Sequence, residues 1–191
     1  MMAFIAQFWL PILLSAVAIF IASALIWMVA PHHKKEWRTH PNEAQVLAAI
    51  RGGGATPGAY LIPHAQDPNA MKDPAFQARM AEGNVGTLFL RPPGMPSMGR
   101  LMGQQFIYFL VVTALIAVLM VVVLPPSEGF MIVLKSVGLA AFMAYGFAVI
   151  PESIWFGRPW KSCVLTLVDA AIYAAITAAI FAKFWPQVPQ M

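Results

Sequence analysis

The chain has 191 residues, of which 60% are hydrophobic and only 10% are charged. Because so few charges cannot solvate the surface of a globule of this size, the composition excludes an ordinary water-soluble domain and predicts a protein embedded in lipid. The net charge of +4 does not indicate nucleic-acid binding, since the basic residues cluster beside apolar runs instead of forming a stripe interleaved with aromatic residues.

Four apolar runs are long enough to cross a hydrocarbon core about 30 Å thick. The first run, residues 4–30, has no basic segment before it and exceeds the apolar part of a signal peptide, so we interpret it as a retained helix. The sequence therefore predicts an all-α integral membrane protein with four transmembrane helices and one long loop. Helix 1 falls in residues 1–30, the loop in 31–103, helices 2–4 in 104–184 (104–124, 129–150 and 163–184) and a short tail in 185–191.

The basic residues predict the orientation of these helices. Most lysines and arginines fall in residues 31–103, and the connection after helix 3 adds Arg158 and Lys161, whereas the opposite side carries only Lys135 and Lys183. Because Lys and Arg are retained on the cytoplasmic side, we expect the loop to be cytoplasmic and both termini to be periplasmic. Compact loops without a processing signal suit a multi-pass protein of a bacterial inner membrane.

The long loop shows signals of local structure. Residues 41–51 and 73–82 are bounded by capping residues and glycine, which predicts two short helices. Residues 59–62 and 87–90 are strand-like runs bounded by glycine and proline. The loop has too few apolar residues for a core of its own, so we expect it to pack against the bundle, the lipid headgroups or a partner.

A polar stripe lies on predicted helix 4. Thr166, Asp169 and Tyr173 fall on one helical face, and Tyr108 and Tyr145 are expected at a similar depth. An acid inside a membrane is costly unless it is paired or protonated, so Asp169 indicates either a proton or ion relay or a structural hydrogen-bonding group. In the structural interpretation, Asp169 pairs with a basic residue near its helix start or accepts bonds from hydroxyl groups.

All four histidines lie in the loop, and two of them directly follow helix 1. His32, His33 and His64 are candidates for metal or haem ligands. Adjacent histidines point in different directions on a regular element, and no acid or cysteine stands at a familiar ligand spacing nearby. We therefore expect this basic, histidine-rich segment to contact anionic headgroups, and we predict no metal and no cofactor.

The connection between helices 3 and 4 is dense in tryptophan and basic residues. It contains Trp155, Arg158, Trp160 and Lys161. This composition is typical of a turn that anchors two helices at the headgroup level, and it equally fits a docking surface, because Trp and Arg are frequent in binding hot spots. The sequence leaves both interpretations open.

No motif for a catalytic nucleophile, a paired-carboxylate site or a zinc protease is visible in the sequence. Our leading hypothesis is a non-catalytic membrane subunit or accessory protein of a larger membrane complex, such as a respiratory or other energy-transducing one. Its expected partners are the lipid bilayer and either other membrane subunits or further copies of this chain. The alternatives are a small proton or ion conduit or transporter built around Asp169 and a haem- or quinone-binding redox subunit.

Overall fold

The computed structural model describes residues 6–83 and 85–186 and is mostly helical. Two short helices and a two-stranded sheet lie between the first and second long helices. In chain order the elements are α1 (Trp9–Met28), α2 (Glu43–Gly52), β1 (Gly58–Ile62), α3 (Pro74–Ala81), β2 (Gly86–Leu90), α4 (Met98–Val123), α5 (Phe130–Gly146), α6 (Val149–Trp155) and α7 (Trp160–Lys183).

The structure confirms four helices that are long and apolar enough to span a membrane. They are α1, α4, α7 and the stretch Phe130–Trp155, which contains α5 and α6. Many large apolar side chains on their outer faces are exposed, as expected of surfaces that contact lipid tails. The predicted helical residues 4 and 5 and the tail residues 187–191 lie outside the described residues.

The helix ends differ from the predicted limits because hydropathy marks the lipid-facing length and not the hydrogen-bonded length. The second long helix begins at Met98, six residues before the predicted start, where the Ser97 side chain accepts a hydrogen bond from the backbone N–H of Arg100 at 3.4 Å. The third is interrupted after Gly146 and resumes at Val149. Pro151 has no N–H to donate to the carbonyl of residue 147, which accounts for a break at this point.

The chain forms two compact units. We call residues 1–37, 96–150 and 159–191 the helical unit, and residues 38–95 and 151–158 the loop unit. Within the loop unit, β1 pairs antiparallel with β2, with Tyr60 opposite Leu88. Asp73 caps α3 by accepting a hydrogen bond from the N–H of Ala75 at 3.1 Å. The Thr87 hydroxyl donates to the carbonyl of Phe156 at 3.1 Å.

Contacts within the helical unit establish the direction of each helix. The Thr113 hydroxyl of α4 lies 3.3 Å from the carbonyl of Ile12 on α1, and the ring of Phe106 lies 5.7 Å from that of Phe20. The α1 and α4 helices are therefore antiparallel. Phe8, which precedes α1, stacks on Phe181 near the end of α7, whereas His33, which follows α1, contacts Asp169 nearer the start of α7. The α1 and α7 helices are therefore also antiparallel.

Small residues allow α5 and α7 to approach closely. A Cβ atom placed on Gly146 would lie 3.0 Å from the Cβ of Ala170, and one on Gly138 would lie 3.5 Å from the Cβ of Ala178. These pairs show that α5 runs antiparallel to α7. Helices in lipid usually associate by close backbone approach of this kind, because the hydrophobic effect does not drive them together there. The last turns of α1 and α5 and the first turns of α4 and α7 therefore lie at the same end of the bundle.

Candidate metal centre

A tight turn directly after α1 carries both histidines of the site. Helix α1 ends where the N–H of Val29 donates to the carbonyl of Leu25 at 2.9 Å. Ala30, which precedes a proline, adopts the extended conformation that a following proline favours. Pro31 then begins a short 3-10 turn, Pro31–His33, with a fixed φ suited to a first helical position. The chain thus turns back over the end of the bundle instead of leaving it.

The carboxylate of Asp169 lies between the two imidazole rings. His32 Nε2 is 3.1 Å from Asp169 Oδ1, and His33 Nε2 is 2.8 Å from Asp169 Oδ2. Asp169 and His33 are buried, with 4% and 5% of their surfaces exposed, while His32 is partly exposed. Each histidine therefore binds a different oxygen of the same carboxylate.

His33 has carboxylate partners at both ring nitrogens. Its Nδ1 lies 2.6 Å from Glu36 Oε2, and the ring of Trp27 stacks on it with centroids 4.1 Å apart and planes 5° apart. A neutral imidazole has one N–H donor, whereas the imidazolium has two and can bond both ionised carboxylates. Burial by itself lowers the pKa of His33. The hydrogen bonds to Glu36 and Asp169 raise the pKa by more than burial lowers it, so the pKa lies above the ordinary 6.5. An aromatic face also favours a cation stacked on it.

This raised pKa predicts how the stability of the metal-free protein depends on pH. The contribution of His33 to the free energy of unfolding is fully present below its unfolded pKa of 6.5 and is lost as pH rises through the higher folded pKa. In the presence of a chelator, the difference in melting temperature between wild type and His33→Ala should therefore shrink as pH rises from below 6.5 into the alkaline range. A pH-independent difference for His33→Ala would contradict the assignment.

The same three side chains have the composition of a metal site. His32, His33 and Asp169 each offer one ligand atom, and these atoms all lie within 4.8 Å of one another. Around a tetrahedral Zn²⁺ with bonds of about 2.0–2.1 Å, neighbouring ligand atoms are separated by about 3.3 Å. The three ligand atoms lie within 4.8 Å of one another, so rotations of these side chains would bring them to this spacing around an ion that replaces the protons between them.

A cavity of about 510 Å³ adjoins the metal centre, and Asp169 belongs to both. Four helices of the helical unit line it. Its walls are Phe20, Ser23, Ala24, Trp27 and Met28 of α1, Met98, Leu101, Met102, Gln105, Tyr108 and Phe109 of α4, Tyr145 of α5, and Thr166, Asp169 and Tyr173 of α7.

The cavity contains every member of the polar cluster that the sequence singled out. Asp169 and Tyr173 are buried, Thr166 and Tyr145 are partly buried, and Tyr108 is exposed. The Tyr145 ring packs edge-on against that of Tyr173 at 5.9 Å. The hydroxyl of Tyr145 is buried and has no hydrogen-bond partner within the described residues.

The residues of the predicted docking turn belong to two different units. Trp155 and Arg158 belong to the loop unit, where the Arg158 guanidinium donates to Glu152 at 3.2 Å. Trp160 and Lys161 belong to the helical unit and are exposed in the first turn of α7. His64 is exposed in the loop unit and is not among the three potential ligands found in the described part of the chain.

Sequence reasoning did not anticipate that adjacent histidines could share one carboxylate. Neighbouring side chains diverge on a regular element, but the turn after Pro31 brings the centroids of the two imidazole rings to 4.3 Å. Glu36 was also missed. Its position three residues after His33 is the spacing at which side chains on a helical turn meet, and it is the signal that could have indicated this pair.

Comparisons with protein-family models, curated proteins and solved structures gave no match for this chain.

Proposed function

We propose that this protein is a small integral membrane protein that binds a divalent transition-metal ion, best fitted by Zn²⁺, through His32, His33 and Asp169. The observation that carries the proposal is the convergence of two imidazole Nε2 atoms on one buried carboxylate. Two nitrogens and one oxygen form a donor set that suits Zn²⁺, whereas Mg²⁺ and Ca²⁺ prefer oxygen ligands.

The surroundings of the site support this assignment. Metal-bound histidines usually donate their second N–H to a carboxylate, which fixes the ring and makes it a stronger ligand. Glu36 occupies this position beside His33 Nδ1, at 2.6 Å. If the histidines are neutral in the metal-bound state, the two negative charges of Glu36 and Asp169 are balanced by one divalent ion. Such neutrality lowers the cost of burying the carboxylates.

The proposal assigns a binding role to the site and not catalytic turnover. We further propose that the protein acts as a subunit or accessory protein of a larger assembly in a bacterial inner membrane. The basic residues support a cytoplasmic position for residues 31–103 and periplasmic termini. We favour binding over conduction through Asp169, because both of its oxygens already contact imidazole rings. Purification in mild detergent with mass spectrometry tests this role, and only a stoichiometric partner chain would support it.

The direct test is the metal content of protein purified without chelators. We expect about one Zn²⁺ per chain by elemental mass spectrometry, and we expect Co²⁺ to give the intense visible absorption of a tetrahedral site. Chelator-treated protein should regain the ion in the same ratio. Protein that neither contains nor takes up a divalent ion would overturn the proposal, and a Soret band would identify haem instead.

The substitution Glu36→Gln tests the carboxylate that contacts His33 and leaves all three metal ligands in place. The amide keeps the shape of the side chain but loses the charge that makes His33 more basic, so Zn²⁺ affinity should fall by about 10–100-fold. Competition with a chromophoric chelator measures this change. Glu43→Gln is the matched control, because Glu43 is exposed at the start of α2 and should leave the affinity unchanged. Equal affinities for wild type and Glu36→Gln would show that Glu36 does not support a bound ion.

A further inference from the structure

The cavity beside the metal centre has unusually aromatic walls. Six of its fifteen lining residues are aromatic, against 12% of the whole chain. Three of the four tyrosines of the protein are among them. We propose that this cavity binds the head ring of a membrane-soluble quinone. The proposal concerns binding alone and does not require a metal ion to be present.

The aromatic rings form a connected wall that suits a flat ligand. The Phe109 ring lies 5.7 Å from that of Tyr173, 6.1 Å from that of Tyr145 and 5.5 Å from that of Tyr108. Ring pairs at such distances prefer offset-stacked or edge-on arrangements, and a planar ligand ring can join the set in either way. A flexible acyl chain would gain no comparable geometric preference from these walls.

Polar groups in the cavity match the oxygens of a quinone. The amide of Gln105 and the hydroxyls of Ser23 and Tyr108 line the same space and can donate hydrogen bonds. The Tyr145 hydroxyl is fully enclosed and presents no accessible surface to a ligand, so the donors of the cavity are those of these three side chains.

The charge of the cavity disfavours an anionic lipid headgroup. Asp169 is the one charged side chain among the described lining residues, and these include no lysine or arginine. A phosphate or carboxylate head would therefore find no lysine or arginine in the walls to pair with. A quinone head is neutral and carries acceptors only, which agrees with both the charge and the donors of this cavity.

The dimensions of the cavity also suit a ring with the beginning of an apolar tail. The lining residues of α4 extend from Met98 to Phe109, a rise of about 16 Å, and a volume of about 510 Å³ lies within the range of small-molecule pockets. Met28, Met98 and Met102 provide flexible apolar surface along this length. The tail would contact these side chains while the ring lies among the aromatic walls.

The test is calorimetric titration of the purified full-length protein with a quinone that carries one isoprene unit. Ala24→Phe fills the cavity and should weaken binding by about tenfold or more, whereas Ala171→Phe adds the same ring at an exposed position of α7 outside the cavity and should leave it unchanged. The proposal would be overturned if the wild type showed no saturable binding of the quinone. It would also be overturned if Ala24→Phe and Ala171→Phe bound the quinone with equal affinity. Displacement of the quinone by phospholipid at comparable concentrations would overturn it as well.

Two further measurements separate this proposal from a folding defect and from the metal site. Ala24→Phe should retain the helical circular-dichroism spectrum and the cooperative thermal unfolding of the wild type, which shows that the bundle is intact, and chelator-treated wild type should still bind the quinone. Gln105→Leu should weaken quinone binding severalfold by removing a donor, with Gln77→Leu in the loop unit as its control. Unaltered quinone affinity in both Gln105→Leu and Ala24→Phe would place the ligand outside this cavity.

Discussion

Replacing His33 by alanine should lower the affinity for Zn²⁺ by more than about 100-fold, because the change removes a ligand and not merely a supporting group. It also leaves the carboxylates of Glu36 and Asp169 without their shared imidazole. Asp169→Asn should have a comparable effect, since an amide is a poorer ligand and brings no charge to offset that of the ion. Zn²⁺ binding is measured by competition with a chromophoric chelator.

Histidines elsewhere in the chain provide the matched controls. His40 and His64 are exposed, and neither belongs to the cluster of potential ligands in the described residues. His40→Ala and His64→Ala should therefore bind Zn²⁺ as the wild type does. If His64→Ala lowered the affinity as much as His33→Ala, the ion would be bound by a different set of side chains and the assignment of the site would be wrong.

Gly146→Val should destabilise the helical unit by about 1–3 kcal/mol. Even a Cβ atom at this position would lie 3.0 Å from Ala170 Cβ and 3.0 Å from Leu167 Cδ2. Leu167 can rotate away, but the Cβ of Ala170 is fixed to the backbone, so α7 must shift away from α5. The loss of close packing is measured as a lower midpoint of thermal or denaturant unfolding in detergent.

Gly138→Ala is the control for this substitution. An added Cβ there would lie 3.5 Å from Ala178 Cβ, an ordinary van der Waals contact, and the alanine lowers the backbone entropy of the unfolded chain. We expect stability equal to wild type or higher by up to about 1 kcal/mol. Equal midpoints for Gly146→Val and wild type would show that α5 and α7 do not approach each other this closely.

The consequences of Gly146→Val should extend to the metal centre. Ala170, which the new side chain displaces, directly follows Asp169 in α7. Metal ligands must keep their spacing within a few tenths of an ångström, so a shift of this turn should also reduce Zn²⁺ affinity. Gly138→Ala should leave the affinity unchanged. The pair of glycines therefore distinguishes packing near the site from packing farther along the same helix interface.

The four apolar helices could be predicted from the sequence because crossing lipid requires a long uninterrupted apolar segment. The pattern of caps and glycines in the loop likewise indicated elements where the structure has α2, α3 and the paired strands. The polar stripe indicated one face of α7, and its Asp169 and Tyr173 are buried in the structure. These features depend on local composition and period, which a sequence states directly.

The sequence by itself thus determined the apolar helices and singled out Asp169 as a residue that needs a partner. Only the tertiary structure decided that the partners are His32 and His33, which lie 137 and 136 positions away along the chain. The direction of the turn after Pro31 and the close approach of the helices depend on packing between distant residues. Hydropathy and spacing do not record such contacts. They therefore gave no indication that the two histidines contact Asp169.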